Sequence, residues 1–420
     1  MKNIESMTYL KSISVLVKGA FAAQFVTLLC SPVITRLFTP DELGVYALVT
    51  GAVGMFGFAM SCRFEVCIVS ENDEVKVNSL VKLSLLICML LSCLLFVCYY
   101  IYFKYSRISC NPFQLSLVVF GLLFMTGIIN VFTAYNNRNK DYRLITKSYV
   151  LRVLSQNICN VMAGLSHLGA IGLSVSHLIG YFVGVRDQAA LLLIKRAAIY
   201  QISIRQMLLV FCENKKQALL STPAVLANGF SYSIILYFVE SLFSVAAVGY
   251  YLISYRILGL PLSIISANIS RVFLEKASSE FKKKGEFQRT YLMTVVIQII
   301  LSIPIGFCLF LFAPSVCKIL FGEGWDIAGN YIRILTPMFM FRFIAGGVNT
   351  SAIIVKKQQV DFAIQLILML FTIIVFIIAR FYNLEIEMFL IFLSIGGCII
   401  YIIYLILFWL CSKNNNVLNF

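Results

Sequence analysis

The stretch "LFTPDELGVYAL" (37–48) returns 205 positions later as "LFSVAAVGYYLI" (242–253). In both copies Leu-Phe is followed, six residues after the Phe, by Gly, then by any residue and Tyr, so Gly44 falls on Gly249 and Tyr46 on Tyr251. A weaker echo at an offset of 220 joins "NNRNKDY" (136–142) to "KKQQVDF" (356–362). Self-similarity at a fixed spacing marks a duplicated unit. Each unit takes up about half of the 420 residues.

Working outward from either copy, the chain is apolar. Hydrophobic residues make up 60% and charged residues 13%, with a mean hydropathy of +0.90; a soluble protein carries about 25% charge and about 45–50% apolar residues. Apolar runs of about 20 residues, each long enough to cross about 30 Å of hydrocarbon, recur from end to end. The chain reads as an all-α polytopic membrane protein with twelve spans, at 17–38, 43–69, 82–103, 112–134, 148–167, 170–194, 219–241, 246–273, 290–313, 328–355, 360–380 and 386–411. A transmembrane barrel is excluded, because its strands would be short and alternate in polarity. The repeat places six spans in each half: a bundle over 1–194, a bundle over 218–420, and between them "KRAAIYQISIRQMLLVFCENKK" (195–216), an amphipathic linker over 195–217 on the cytoplasmic surface. Six is even, so both bundles enter the membrane from the same face. Transporters with such parallel repeats hold substrate between the halves near the midplane and rock to alternate access.

A net charge of +15 invites a nucleic-acid partner, but the placement of the charge argues for topology. Of 34 Lys and Arg, 22 lie on the side of the N-terminus, against Lys104, Arg107, Lys318 and Arg380 on the other. That asymmetry puts both termini in the cytoplasm and makes the membrane, not nucleic acid, the partner. Ala20-Phe21-Ala22 imitates a cleavage site, yet the preceding apolar stretch is short and holds Lys18, so the first span is read as uncleaved. The thirteen Cys include no CxxC pair and read as small packing residues. No Walker loop, HExxH or metal-ligand cluster occurs, so neither cofactor nor metal is expected. The largest far-side loop, around "FGEGWDIAGN" (321–330), leaves no exposed domain.

The eight remaining basic residues are embedded: Lys18, Arg36, Arg63, Arg186, Arg256, Arg271, Arg333 and Arg342. Seven are Arg, which stays charged and grips phosphate with two parallel hydrogen bonds. Each costs about 2.5–3.5 kcal/mol at a helix centre. Arg256 and Arg342 lie nearest mid-membrane, Arg342 five residues past Pro337; Arg36 and Arg333 lie toward the external side and Arg271 toward the cytoplasm, where snorkelling is the competing reading. Gly249, Arg256, Ser263 and Ser270 are spaced by sevens, and their counterparts are Gly44, Gly51, Phe58 and Glu65. That stripe reads as a cavity wall or as a helix–helix seam. Arg63 and Glu65, two residues or about 200° apart on a helix, leave opposite faces and do not pair; Arg63 is a headgroup anchor, a partner of a neighbouring helix or a substrate contact. Glu65, Asp187 or Glu240 could carry a coupling proton, Asp187 reading otherwise as a local pair with Arg186. The two histidines, His167 and His177, read as interfacial residues flanking an external turn. The candidate substrate contacts are thus Arg256, Arg342, Arg36, Arg271, Arg333, Glu65 and Arg63.

"SPVITRLFTPDELGVYAL" (31–48) with "CRFEVCIV" (62–69) resembles the opening of Wzx-type O-antigen and polysaccharide flippases of the multidrug/oligosaccharidyl-lipid/polysaccharide (MOP) exporter superfamily. "VGYYLISYRILGLPLSIISANISRVFLEKAS" (248–278) and "LFGEGWDIAGNYIRILTPMFMFRFIAGGVNT" (320–350) resemble that family's eighth and tenth spans. The resemblance implies a non-enzymatic carrier with a MATE-like fold. It would move undecaprenyl-diphosphate-linked oligosaccharide from the cytoplasmic to the periplasmic leaflet of a bacterial inner membrane, driven by an ion gradient. A polysaccharide polymerase and a chain-length regulator are the implied partners. The alternatives are a MATE-like drug or cation exporter and a polysaccharide polymerase or ligase, the last expected to carry a large periplasmic loop.

Overall fold

The computed structural model describes residues 2–106, 108–194 and 200–413. All regular secondary structure among them is helical. Arg107 and the start of the expected linker, 195–199, lie outside the described residues. Contacts group the chain into two compact units, Met1–Tyr237 and Phe238–Phe420. Ten of the twelve expected spans each coincide with one helix, the second and tenth are each split between helices, and ten helical segments are long and apolar enough to cross a membrane. In the first and fifth spans, Phe21–Leu37 is a shorter apolar stretch, and Tyr142–Leu165 is diluted by Arg143, Lys147, Arg152, Gln156, Asn157 and Asn160.

The first unit comprises α1 (Lys2–Leu37), α2 (Pro40–Phe56), α3 (Phe64–Ser70), α4 (Glu74–Tyr105), α5 (Pro112–Arg138), α6 (Tyr142–Leu165), α7 (Gly169–Ile194) and the start of α8 (Ile204–Leu242). In it α6 packs between α1 and α7, and α5 packs against α4 and α7. Short α3 docks on α4 and α5 through Phe64, Cys67 and Ile68, in a cluster that includes Met207 and Val210 of α8. The expected linker is therefore not a separate surface helix: its residues from 204 onward run without a break, past Pro223, into the seventh span. Arg138 of α5 ties the turn between α3 and α4, donating to the carbonyls of Glu71 and Asn72 and pairing with Glu74 at 2.7 Å.

The second unit contains α9 (Val245–Lys284), α10 (Gln288–Phe321), α11 (Asp326–Gly347), α12 (Ser351–Ile354), α13 (Gln358–Tyr382) and α14 (Ile386–Lys413). Here α11 is the hub, packed on α9, α10 and α14. Phe273, Phe287, Tyr291, Tyr404 and Phe408 fill the core at one end, where the Tyr291 hydroxyl donates to the Leu405 carbonyl at 2.8 Å. Ile300, Ile303 and Phe307 of α10 and Ile374 and Ile377 of α13 are exposed, as a surface turned toward lipid requires.

The repeat is written into helix starts. Thr39 caps α2 by accepting from the Glu42 N–H, while the Glu42 carboxylate accepts from the Thr39 N–H. This is a capping box, with Pro40 supplying the preset φ of a first helical residue. Ser244, at the offset of 205, caps α9 by accepting from the Ala247 N–H at 3.1 Å. Both helices thus begin at matching residues, Pro40 and Val245.

They do not end alike. Instead of one continuous span over 43–69, α2 stops at Phe56 and a 3-10 turn covers Gly57–Ala59. Cys62 and Arg63 then take left-handed φ values of 47° and 64° before α3 begins. Asn130 of α5 donates to the Gly57 carbonyl at 2.9 Å, taking up a group the broken ladder releases. Gly127 lets α5 approach this elbow, since a Cβ there would lie 2.5 Å from Cys88 Sγ and 3.2 Å from Met60 Cβ. In contrast α9 runs unbroken through Pro261 over its 40 residues. The interruption in the second unit falls in the tenth span, between α11 and α12, where Asn349 accepts from Ser270 Oγ at 2.6 Å.

Candidate functional site

The embedded arginines meet different fates. Arg342, half-buried on α11, donates from both Nη1 and Nη2 to the Tyr255 hydroxyl, each at 3.2 Å. Its guanidinium carbon lies 5.6 Å from the Tyr255 ring centroid and 5.4 Å from that of Phe339, and those rings meet edge to face. Such contacts hold an intramembrane cation with the negative faces of aromatic rings. Tyr251, the repeat counterpart of Tyr46, lies next in line, its ring tilted at 6.3 Å from that of Tyr255. Arg256, the neighbour of Tyr255 on α9, is half-buried.

Arg333 does something else. Pro314 has no N–H to bond the carbonyl four residues back, which is Phe310. Arg333 Nε donates to that carbonyl at 2.8 Å, and Nη2 lies 3.4 Å from the Leu311 carbonyl. Its place in the structure is that of a helix patch for α10. Arg36 and Arg271 are exposed.

Arg63 and Glu65 pair after all, with Nη1 and Oε1 at 3.3 Å. Residues two apart stand about 200° from each other only along a helix, and the left-handed backbone at Cys62 and Arg63 is not helical. Glu65, buried at 4% exposure, also accepts from Ser61 Oγ. The expected stripe is cut at the same elbow: Gly44, Gly51 and Glu65 are buried, whereas Phe58 is 63% exposed. Asp187 pairs not with Arg186, which is exposed, but with Lys147 of α6 at 2.9 Å.

A polar network that the sequence did not reveal runs through the first unit. The Gln156 amide donates to the Tyr46 hydroxyl at 3.1 Å, and that hydroxyl lies 3.0 Å from His177 Nδ1. The His177 ring packs on Tyr181 at 5.1 Å. Arg152 then lies over two rings, 4.7 Å from the centroid of Tyr181 and 4.8 Å from that of Tyr149. Gln24 of α1 donates to the Tyr149 hydroxyl at 3.1 Å. From sequence, Arg152 counts among the cytoplasmic charges at the mouth of the fifth span; in the helix it lies about 15 Å from the start of α6. His177 stands inside α7 rather than beside a turn. Polar residues spaced along α6 were the available signal; the partners from α1, α2 and α7 were not readable. Among the described residues, no three His, Cys, Asp or Glu gather as a metal site.

A family model described as "Polysaccharide biosynthesis protein" matches residues 33–330. No curated protein matches the chain. Among solved structures, the lipid II flippase MurJ in an inward closed conformation has a TM-score of 0.72 at 16% identity, covering 94% of this chain and 89% of that one. A MATE transporter in complex with MaL6 has a TM-score of 0.60 at 15% identity, with 96% of each chain covered. A MOP superfamily transporter from Pyrococcus furiosus, whose binding pocket is described as reversed in polarity, has a TM-score of 0.58 at 15% identity and 97% coverage of each chain. The fold is MurJ/MATE-like.

Proposed function

This chain belongs to the polysaccharide biosynthesis protein family, and on that premise we propose that it is a flippase for undecaprenyl-diphosphate-linked polysaccharide repeat units. It carries them from the cytoplasmic to the periplasmic leaflet of a bacterial inner membrane by alternating access, with both termini cytoplasmic. The observation that supports this reading best is Arg342, a guanidinium held within an apolar span by the Tyr255 hydroxyl and two aromatic faces. A cation so placed favours an anionic cargo, and a diphosphate is the anion that such a lipid carrier presents. Arg256, one residue from Tyr255, is the second contact in this proposal.

The test is genetic and chemical. Deletion should accumulate lipid-linked intermediates facing the cytoplasm, and Arg342→Ala should reproduce that phenotype at normal membrane abundance, with surface polysaccharide falling by tenfold or more. Normal polysaccharide in Arg342→Ala would remove Arg342 from the cargo path. Drug resistance that depends on the protein, with no change in lipid-linked intermediates, would favour a MATE-like exporter instead.

A further inference from the structure

We propose that the Arg152 cage of the first unit is a binding subsite for the oxyanion of a glycosyl group: the carboxylate of an acidic sugar or the phosphate that links a sugar to its carrier. The proposal rests on the flippase reading and adds a second point of cargo recognition to it.

The first ground is an unmet cation. Among the described residues Arg152 has ring contacts only: no carboxylate lies within ion-pair distance and no hydrogen bond takes up its N–H groups. The nearest acid on the facing helix, Asp187, pairs with Lys147 about one and a half turns away along α6. Nor are the Arg152 nitrogens walled in, unlike Arg63 Nε, which is buried without a partner. A guanidinium with five donors, set in a helix between spans and open to space, is a cation waiting for an oxyanion.

The second ground is what stands beside it. The cationic carbon stands over both Tyr149 and Tyr181, contacts that use none of the N–H donors, so the fork that matches two oxygens of one anion is left to a ligand. Gln24 and Gln156 each spend an amide N–H on a tyrosine hydroxyl, and neither carbonyl oxygen accepts from a described residue or is buried. Those two acceptors suit the hydroxyls of a sugar ring. Four helices, α1, α2, α6 and α7, converge to make the arrangement. The second unit differs here, because Arg342 turns both terminal nitrogens onto Tyr255.

The experiment uses the full chain in lipid nanodiscs and saturation-transfer NMR with three probes: glucuronate, glucose 1-phosphate and glucose. At least one acidic probe should receive saturation several-fold above glucose. Glucuronate alone would assign the sugar carboxylate, and glucose 1-phosphate alone the sugar-linked phosphate. Arg152→Gln should cut the signal fivefold or more, whereas Arg380→Gln, an exposed guanidinium at the end of α13, should keep it. Arg152→Lys retains the charge for insertion but lacks the fork, and should also lose most of the signal; it carries the test if the Gln variant fails to reach the membrane. Equal signals in wild type and both Arg152 variants, or glucose binding as well as the acids, would overturn the site. An Arg152-independent result in a protein that still clears lipid-linked intermediates would leave the flippase reading standing. Loss of flipping in Arg342→Ala with probe binding kept would bear on Arg342 alone.

Discussion

The second and eighth spans start alike and end differently. Both begin at a hydroxyl cap 205 residues apart, Thr39 and Ser244, and both carry Gly and Tyr at matching places. Eighteen residues past its cap, α2 has given way at Gly57 to a turn and a left-handed elbow, while α9 continues through its own proline. Glu65 beyond the elbow is held by Ser61 and Arg63; its counterpart Ser270, still in a helix, bridges to Asn349 in the break of the tenth span. A duplicated sequence has therefore kept its helix starts and moved its interruption from one helix to that helix's neighbour. Starts depend on three or four adjacent residues, and a break depends on what packs against it.

The largest effect that would break this comparison is at Glu65. Glu65→Ala leaves Arg63 half-buried without its acid, and the expected loss is about 3 kcal/mol, the low end for a broken buried pair because Arg63 keeps partial access to water. The thermal unfolding midpoint in detergent checks it, and Arg63→Ala/Glu65→Ala should recover much of the loss. If the single and double variants match wild type, the elbow is not held by this pair. Next in size, Ser270→Ala removes one hydrogen bond to Asn349 and should cost about 1 kcal/mol, read in the same assay. An effect equal to that of Glu65→Ala would mean that the two positions are still equivalent. Smallest is the difference between caps: Thr39→Ala and Ser244→Ala should each cost about 1 kcal/mol, with Thr39 the larger by a few tenths because its capping box satisfies a second donor. A negligible effect at both would show that packing alone fixes where these helices begin.

Much of the fold was legible. Twelve apolar runs and the turn residues between them rest on local composition, so ten of the expected spans found a single helix, while 43–69 and 328–355 are broken. Some of the site was within reach of a closer reading. Pro314 on α10 leaves the Phe310 carbonyl without an intrahelical donor whatever the tertiary structure, so a search for a nearby donor belonged to the sequence; that Arg333 answers did not. The pairing of Arg63 with Glu65 lay out of reach, because helical geometry forbids it and only Asn130 and Gly127, about 65 residues farther along, let the backbone leave the helix. The contacts of Arg152 were half in reach: Tyr149 stands three residues before it on the same helix, whereas Tyr181 comes from α7, whose facing side no single-chain periodicity discloses.

By itself the sequence determined that the chain crosses a membrane many times and that its two halves echo each other. Hydrocarbon thickness and cap chemistry act on contiguous residues, and contiguous residues are what a sequence states. Tertiary structure alone decided which arginine patches a carbonyl, which pairs with an acid, and which lies over rings that use none of its N–H donors. The cost of a charge in an apolar span is met by groups from other helices, and their arrival depends on packing that forms only when the chain folds.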